Sequence, residues 1–579
     1  MTAQPASSSD SHITPADLWE ECPGCHQLIY SKELERNAWV CAHCNHHFPL
    51  SVWQRLELTA DEGSFQEWDI ELPISDPLKF PEYQSKLERD RAKTGMSEAV
   101  VTGRAEINGL PVAIGVMDLK FLGGSMGWGV GEKITRLMER AVEERLPVVV
   151  FCATGGARMQ ESLVSLMQMA KTSGAAGRLS KAGLPYVSVL THPTYGGVTA
   201  SYAFLGDVII AEPGAAMGFA GPRVIEVTNI KMPPGVQTAE FQYEHGMLDM
   251  LVPRPRMKET LGQIIRWASG PDEPPAADAE AGPETVEPPR AIPLRPAGAE
   301  VALSAWEKVQ LARNQDRPLA LDYIDAFIDG FVELHGDRRY ADDGAIVAGL
   351  GHFEGRPVAV IAQQKGRTSA ERLARNFGSA KAEGYRKALR VMELAARLGR
   401  PILTFIDTKG ADCLEEAEAR GVSEAIAVCQ RDMFSLPVPV VCSVIGEGGS
   451  GGAIAIGVGD AVLMQENAYY SVIAPESCAV ILWRSPERKE EAASALKLTA
   501  QDAFELGVAT AVVPEPPGGA HLDPAQAARL LKSSISEALA ELRKLPAEEL
   551  MDRRYQRFRR IGDPLQSRPD TTGDGGSAV

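Results

Sequence analysis

The stretch Val444–Gly459, VIGEGGSGGAIAIGVG, follows the apolar run PVPVVC. Gly448, Gly449, Gly451 and Gly452 would let backbone come within contact distance of a ligand. A helix beginning there leaves several N–H groups able to face an anion. Tight helix–strand packing would use the same glycines, so the stretch alone leaves both readings open. Upstream, LPVVVFC runs into ATGGARMQESLVSLMQMA, again a strand, a glycine turn and a helix. Amides at such turns suit a carbonyl oxygen that becomes negative, as in an enolate or a tetrahedral oxyanion. Two turns imply two carbonyls activated side by side. A hydratase or thioester isomerase with a single hole would instead need a carboxylate acid/base pair, for which Glu161, Glu415, Glu416 and Glu447 are available. The sequence has no HExxH or GxxxxGK[ST] motif.

A second constellation lies near the N-terminus. Cys22, Cys25, Cys41 and Cys44 follow the pattern Cys-x2-Cys-x15-Cys-x2-Cys. That spacing fits a closed tetrahedral zinc site, with two thiol–disulfide pairs as the alternative. Four sulfurs fill the coordination sphere, so the zinc is expected to be structural, with His43, His46 and His47 around it rather than on it.

The elements that must position these residues come from a chain of 579 residues and 62.3 kDa, long enough for at least two domains. A net charge of −18 disfavours general nucleic-acid or anionic-membrane binding. No apolar run is long enough to span a bilayer and no secretory signal opens the chain, so a cytoplasmic location is expected. Residues 1–21 are predicted to be a disordered N-terminus, 22–50 the zinc element and 51–268 a first α/β domain. Residues 269–298, rich in proline and acidic side chains, read as a linker. Residues 299–560 form a second α/β domain ending in an amphipathic and a basic helix, and 561–579 a disordered tail. The domains are a duplication. GRAEINGLPVAIGVMDLKFLGG is matched by GHFEGRPVAVIAQQKGR, LPVVVFCATGGARMQES by RPILTFIDTKGADCLEE, and LPYVSVLTHPTYGGVTASYAFLGDVIIAE by LPVPVVCSVIGEGGSGGAIAIGVGDAVLM. In the last match Gly196 aligns with Gly449, and Gly206–Asp207 with Gly459–Asp460, at one constant separation.

These motifs make the chain resemble a fusion of the two carboxyltransferase subunits of bacterial acetyl-CoA carboxylase, β first and α second. The β resemblance, from about Trp19 to Trp267, rests on the cysteine element, FLGGSMG, GGARMQE, SLMQMAKTS, GLPYVSVL and GFAGPRVIE. The α resemblance, from about Ala305 to Ala520, rests on QKGR, RNFG, EGYRKALR, VIGEGGSGGAIAIGVGD and YSVIAPE. It implies two homologous crotonase-like ββα superhelical domains. It also implies transfer of a carboxyl group from carboxybiotin, carried on a separate protein, to the α-carbon of acetyl-CoA, giving malonyl-CoA. Carried over, Gly155 and Gly156 would form the acyl-thioester hole, and Gly452 and Ala453 the biotin hole. Gly123, Gly124, Gly127, Gly196 and Gly197 would shape the acyl-CoA side. Gly449 and Gly451 would border biotin. Arg158 would hold a phosphate or carboxylate, or else an ion pair fixing its turn, and Lys365 and Arg367 would serve the interface or CoA. The chain has no ATP-grasp-like section and no AMKM biotinylation motif. Separate biotin carboxylase and biotin carboxyl carrier proteins are therefore expected as partners, with at least a homodimer.

Several positions depart from the family pattern. TGGAR stands for SGGAR, HPTYGGV for DPTMGGV, and, at Asp407–Leu414, DTKGADCL for DTPGAYPG. These changes leave open a different acyl-CoA or an acyl-carrier-protein thioester as acceptor. A non-catalytic zinc scaffold is the alternative outside enzymes.

Overall fold

The computed structural model describes residues 19–227, 232–268 and 303–564. Residues 1–18, the linker 269–298 and residues 565–579, all expected to be disordered or extended, lie outside them. The duplication is visible in two eight-stranded sheets. The first runs in the order Met250–Leu251, Val208–Ala211, Tyr186–Tyr195, Val148–Thr154, Leu110–Met117, Val100–Ile107 and Gln66–Trp68, with Met217–Gly218 beside Tyr186–Tyr195. The second repeats it as Ala511–Val513, Ala461–Gln465, Val440–Gly449, Ile402–Thr408, Arg356–Gln363, Ile346–Phe353 and Asp329–Glu333, with Tyr469–Ser471 beside Val440–Gly449.

Local chemistry explains the shared pattern. Each half opens on a hairpin whose two turn residues are both left-handed, Asn108–Gly109 in one and Glu354–Gly355 in the other. The central strands Val148–Thr154 and Ile402–Thr408 are buried at every residue, as parallel strands covered on both faces must be. Helices follow the strands, so the crotonase-like ββα organisation expected of both halves is the one present. Trp128–Glu144 turns Ile134, Leu137, Met138 and Ala141 inward, and Ala382–Arg397 does the same with Tyr385, Ala388, Val391 and Met392.

Several expected boundaries shift. Strand Trp19–Glu21 pairs with Leu28–Tyr30, so residues 19–21 belong to the cysteine element rather than to a disordered leader. Ile561 is buried, so the folded body continues past residue 560. Residues 51–100 hold the helices Val52–Thr59 and Tyr83–Thr94 and the edge strand Gln66–Trp68. In the second half the edge strand is Asp329–Glu333.

The halves share one core. Helix Ser162–Lys181 packs on Val422–Met433. Gln430 Nε2 donates to Ala200 O at 2.9 Å across this contact. The basic C-terminal helix Ala547–Arg560 packs on both halves, with Arg554 buried against Asp460 of the second and its outer face on the first. There Arg559 meets Glu132 and Glu139, Asp552 pairs with Arg178, and Tyr555 donates to Glu139 at 2.9 Å. Arg553, Arg554 and Arg559 of this helix all pair with carboxylates of the same chain.

Candidate active site

Each half folds its glycine turn against the end of a neighbouring strand, and the same hydrogen bonds define both. Thr154 Oγ1 accepts from Gly156 N at 2.9 Å, and Thr408 Oγ1 accepts from Gly410 N at 3.1 Å. Gly156 (φ +117°) and Gly410 (φ +150°) hold backbone angles that residues with a Cβ rarely adopt. Arg158 N donates to Met126 O at 2.8 Å, and Asp412 N to Ala380 O at 2.9 Å. The preceding loops match too. Leu122–Gly123–Gly124 and Asn376–Phe377–Gly378 are both left-handed at all three residues.

The structure corrects the sequence register by one residue. Thr154 pairs with Thr194 and Thr408 with Gly448, which places Gly196 opposite Ser450 rather than Gly449. Both residues are left-handed, at φ +67° and +51°. The register returns further on, where Asp207 accepts from Tyr186 N and Asp460 from Val440 N.

Backbone direction revises the acyl-side assignment. Gly155 N donates to Gly123 O at 2.9 Å and Gly156 N to Thr154, so neither amide is available to a carbonyl oxygen. Among the described residues, the amides of Ala157 and Gly197 have no acceptor. They are adjacent, since a Cβ built on Gly197 would lie 3.1 Å from Ala157 Cβ. In the second half, Gly451 and Gly452 sit in the first turn of the short helix Ser450–Ile454, where amides precede any intrahelical partner. Ala453 lies one residue deeper and is fully buried. Gly449 backs directly onto Lys409, and Gln363 Nε2 holds Gly452 O at 2.7 Å.

The two turns meet across the interface of the halves. A Cβ on Gly197 would lie 3.3 Å from Met169 Sδ, and one on Gly451 would lie 3.5 Å from Met169 Cε and 3.2 Å from the Phe219 ring. One methionine side chain therefore spans the gap between them. Gly221 and Tyr195 close the first turn from the other side, 3.8 Å apart by the same measure.

The charged candidates separate clearly. Arg158 is 1% exposed and forms a fork with Glu98 at 2.7 and 2.8 Å, with further bonds to Glu161, Tyr83 Oη and Ser125 O. It fixes the turn, and the phosphate or carboxylate role is corrected. Gly127 caps helix Trp128–Glu144 directly above this ion pair, and Gly124 backs onto Ala153 O, so both shape the turn from behind. Lys365 lies under the second turn between Asp407 and Glu447, 2.7 Å from each. Burial works against its charge, but the two carboxylates outweigh this and raise its pKa. Arg367 pairs with Asp322 on the surface.

The four glutamates read as an acid/base pair are not placed as one. Burial raises Glu161, which is tied to Tyr83, Arg158 and the Trp128 amide. Glu447 is buried, yet Lys365 and Arg313 hold it down to about 2. Glu416 pairs with Lys381 and Arg420 at the surface, and Glu415 is exposed. The sequence missed Glu418, which reaches from the second half to accept from Phe219 N of the first at 2.6 Å. Burial lifts it to about 7 despite that bond and one from Gln237.

The cysteine element packs on the Arg254–Glu212 ion pair of the first half. The four sulfurs lie within 4.8 Å of one another, with Cys22–Cys44 at 3.6 Å and Cys25–Cys41 at 3.8 Å. A tetrahedron with Zn–S bonds of about 2.3 Å has edges of about 3.8 Å, so this set fits zinc. His47 accepts instead from Arg254 N at 3.3 Å. Arg254 joins the element to Glu212 through Ala38 O and Trp39 O. His192, beside this seam, is pushed down by burial and accepts from Ala216 N, so it stays neutral.

A sequence model described as acetyl co-enzyme A carboxylase carboxyltransferase-like matches residues 299–562. One for the acetyl-CoA carboxylase zinc finger domain matches residues 19–44, the span where the structure starts the cysteine element. The chain is 46% identical to the acetyl-coenzyme A carboxylase carboxyl transferase subunits beta/alpha of Clostridium tetani, over 95% of this chain and 94% of that one. It is 48% identical to the protein of the same description from Salinispora arenicola, over 94% and 96%. The beta subunit of Desulforamulus reducens is 57% identical over 43% of this chain and 88% of its own. With identity at this level along both halves and the cysteine element, the chain belongs to the fused β/α carboxyltransferase family of acetyl-CoA carboxylase.

Proposed function

We propose that this protein moves the carboxyl group of carboxybiotin, presented by a biotin carboxyl carrier protein, to the α-carbon of acetyl-CoA, giving malonyl-CoA. The observation that carries the reading is the pair of equivalent turns set on either side of Met169 within one chain. The amides of Gly451 and Gly452, backed by Ala453, bind the ureido oxygen of the donor. Ala157 and Gly197 bind the thioester oxygen and stabilise it as negative charge develops. Gly123 and Gly155 leave the space the acyl thioester occupies, and Gly196 lets its loop close on Gly156. Biotin itself supplies the base, because the ureido nitrogen left after decarboxylation can take the α-proton. That removes the need for a side-chain base, in keeping with the tied-up glutamates. Met169 and Phe219 keep the gap apolar, so carbon dioxide meets the enolate rather than water.

Zinc at Cys22, Cys25, Cys41 and Cys44 holds the N-terminal element against the acyl side. A separate biotin carboxylase loads the carrier, and the chain acts in the cytoplasm as at least a homodimer. Among the described residues no helix is long and apolar enough to cross a membrane. The test is carboxyl transfer from carboxylated carrier to a panel of acetyl-, propionyl- and longer acyl-CoAs and acetyl-carrier protein. Acetyl-CoA is expected to react fastest, with malonyl-CoA as product. A panel in which no thioester gains a carboxyl group overturns the reading, and a faster carrier-protein thioester overturns the acceptor.

A further inference from the structure

The two turns are equivalent in backbone but not in what stands at their mouths. In the first half the mouth is bare. A Cβ on Gly123 would meet nothing within 4 Å, and one on Gly155 would meet only Gly123 O at 3.5 Å. In the second half the equivalent positions hold Phe377 and Lys409. Phe377 is 43% exposed in a left-handed conformation, φ +54°, that aromatic residues rarely adopt. The ammonium of Lys409 lies over its ring at 5.4 Å. Lys409 is exposed, and among the described residues no carboxylate pairs with it. The nearby Asp412 is buried and already accepts from Asn376 Nδ2 and Leu414 N, both at 2.9 Å. A costly, outward-facing aromatic carrying an unneutralised cation at the lip of one turn only points to recognition of a ligand that differs between the two turns.

That difference is charge. Resting on the function proposed above, the second turn receives a ureido ring that arrives with a carboxylate and leaves without one. We propose that Lys409, held over Phe377, recognises the carboxylate of the loaded donor and so distinguishes it from the discharged one. The ammonium pairs with the anion, and the Phe377 face lies against the flat ring. Once the carboxyl group has passed to the acceptor, the attraction is gone and the discharged carrier dissociates more readily.

The experiment uses the full chain with Lys409→Met and Lys409→Arg. KM is measured for carboxylated carrier in the forward direction, for uncarboxylated biotinylated carrier in the reverse direction from malonyl-CoA, and for acetyl-CoA. Lys409→Met is expected to raise KM for the carboxylated carrier about fivefold, the upper range for an exposed ion pair. The other two constants stay at the wild-type value, and Lys409→Arg restores the first. Equal increases for both carrier forms would mean that Lys409 contacts the carrier protein or props the loop, and would overturn the inference. So would an unchanged Lys409→Met enzyme. If the wild type makes no malonyl-CoA from carboxylated carrier, the function proposed above falls and this inference with it, whereas an active wild type with an unselective Lys409 overturns this inference alone.

Discussion

Gly452→Ala adds one methyl group where the second turn folds back on itself. Its Cβ would sit inside van der Waals contact of Ala411 N, 2.8 Å from Gly410 C and 3.0 Å from Tyr385 Oη. Two of these neighbours are backbone, so a rotamer change cannot relieve the contact. Restoring ordinary separation from the nearest of them, Ala411 N, requires the turn to open by roughly 1 Å. Overpacking of this kind costs about 1–3 kcal/mol, which a domain of ordinary stability tolerates. Catalysis tolerates it less well. A misplacement near 1 Å costs on the order of 10²-fold, and loss of one oxyanion donor about 10²- to 10³-fold. Turnover of carboxyl transfer should therefore fall about 100-fold, and further for Gly452→Val. KM for acetyl-CoA should hold, because the acyl turn lies across Met169. Gly344→Ala serves as the control, since its Cβ meets only Ala374 O at 3.4 Å and Arg375 Cγ at 3.7 Å. Steady-state kinetics with carboxylated carrier, alongside zinc content and circular dichroism, make the assay. Near-normal turnover in a folded, zinc-loaded Gly452→Ala protein would refute the assignment of this turn to the chemistry.

Three further predictions follow from the buried charges and the zinc element. Arg158→Met leaves Glu98 and Glu161 buried without their cation and should cost about 3–5 kcal/mol in denaturant unfolding; a stable variant with weakened CoA binding would return Arg158 to the ligand. Glu418, lifted by burial from an ordinary 4.5 to about 7, keeps its proton in the fold where the unfolded chain has lost it. Stability should then decline by up to about 3 kcal/mol as pH rises from about 4.5 to 7, and Glu418→Gln should flatten that slope in pH-dependent unfolding. Cys41→Ser should remove stoichiometric zinc and expose residues 19–48 to protease while the sheet of the first half stays folded; retained metal would contradict the four-sulfur site.

The duplication, the cysteine quartet and both turns were legible in the sequence because each depends on residue type at fixed spacing. What escaped depends on direction and register. Gly155 and Gly156 lie in the first turn, but nothing in TGGAR says that their amides point to Gly123 and Thr154 while those of Ala157 and Gly197 find no acceptor among the described residues. Aligning glycine with glycine placed Gly196 against Gly449, whereas Ser450 takes the left-handed position. The loop at Asn376–Gly378 went unmatched to Leu122–Gly124 because Phe377 occupies a left-handed site that a pattern search reserves for glycine. Gln66–Trp68 and Asp329–Glu333 are short edge strands with exposed faces, so neither shows the apolar run that marked the central strands. Arg158 was readable as either ligand or anchor, and only the position of Glu98, distant in sequence, decides between them.

The central claim is that each turn serves one carbonyl, with the donor on the second half and the acceptor on the first. It is tested most directly by an experimental structure with biotin and acetyl-CoA bound together. The account predicts the ureido oxygen within hydrogen-bonding distance of Gly451 N or Gly452 N, and the thioester oxygen within the same distance of Ala157 N or Gly197 N. A thioester oxygen bound at Gly451–Gly452 would contradict it.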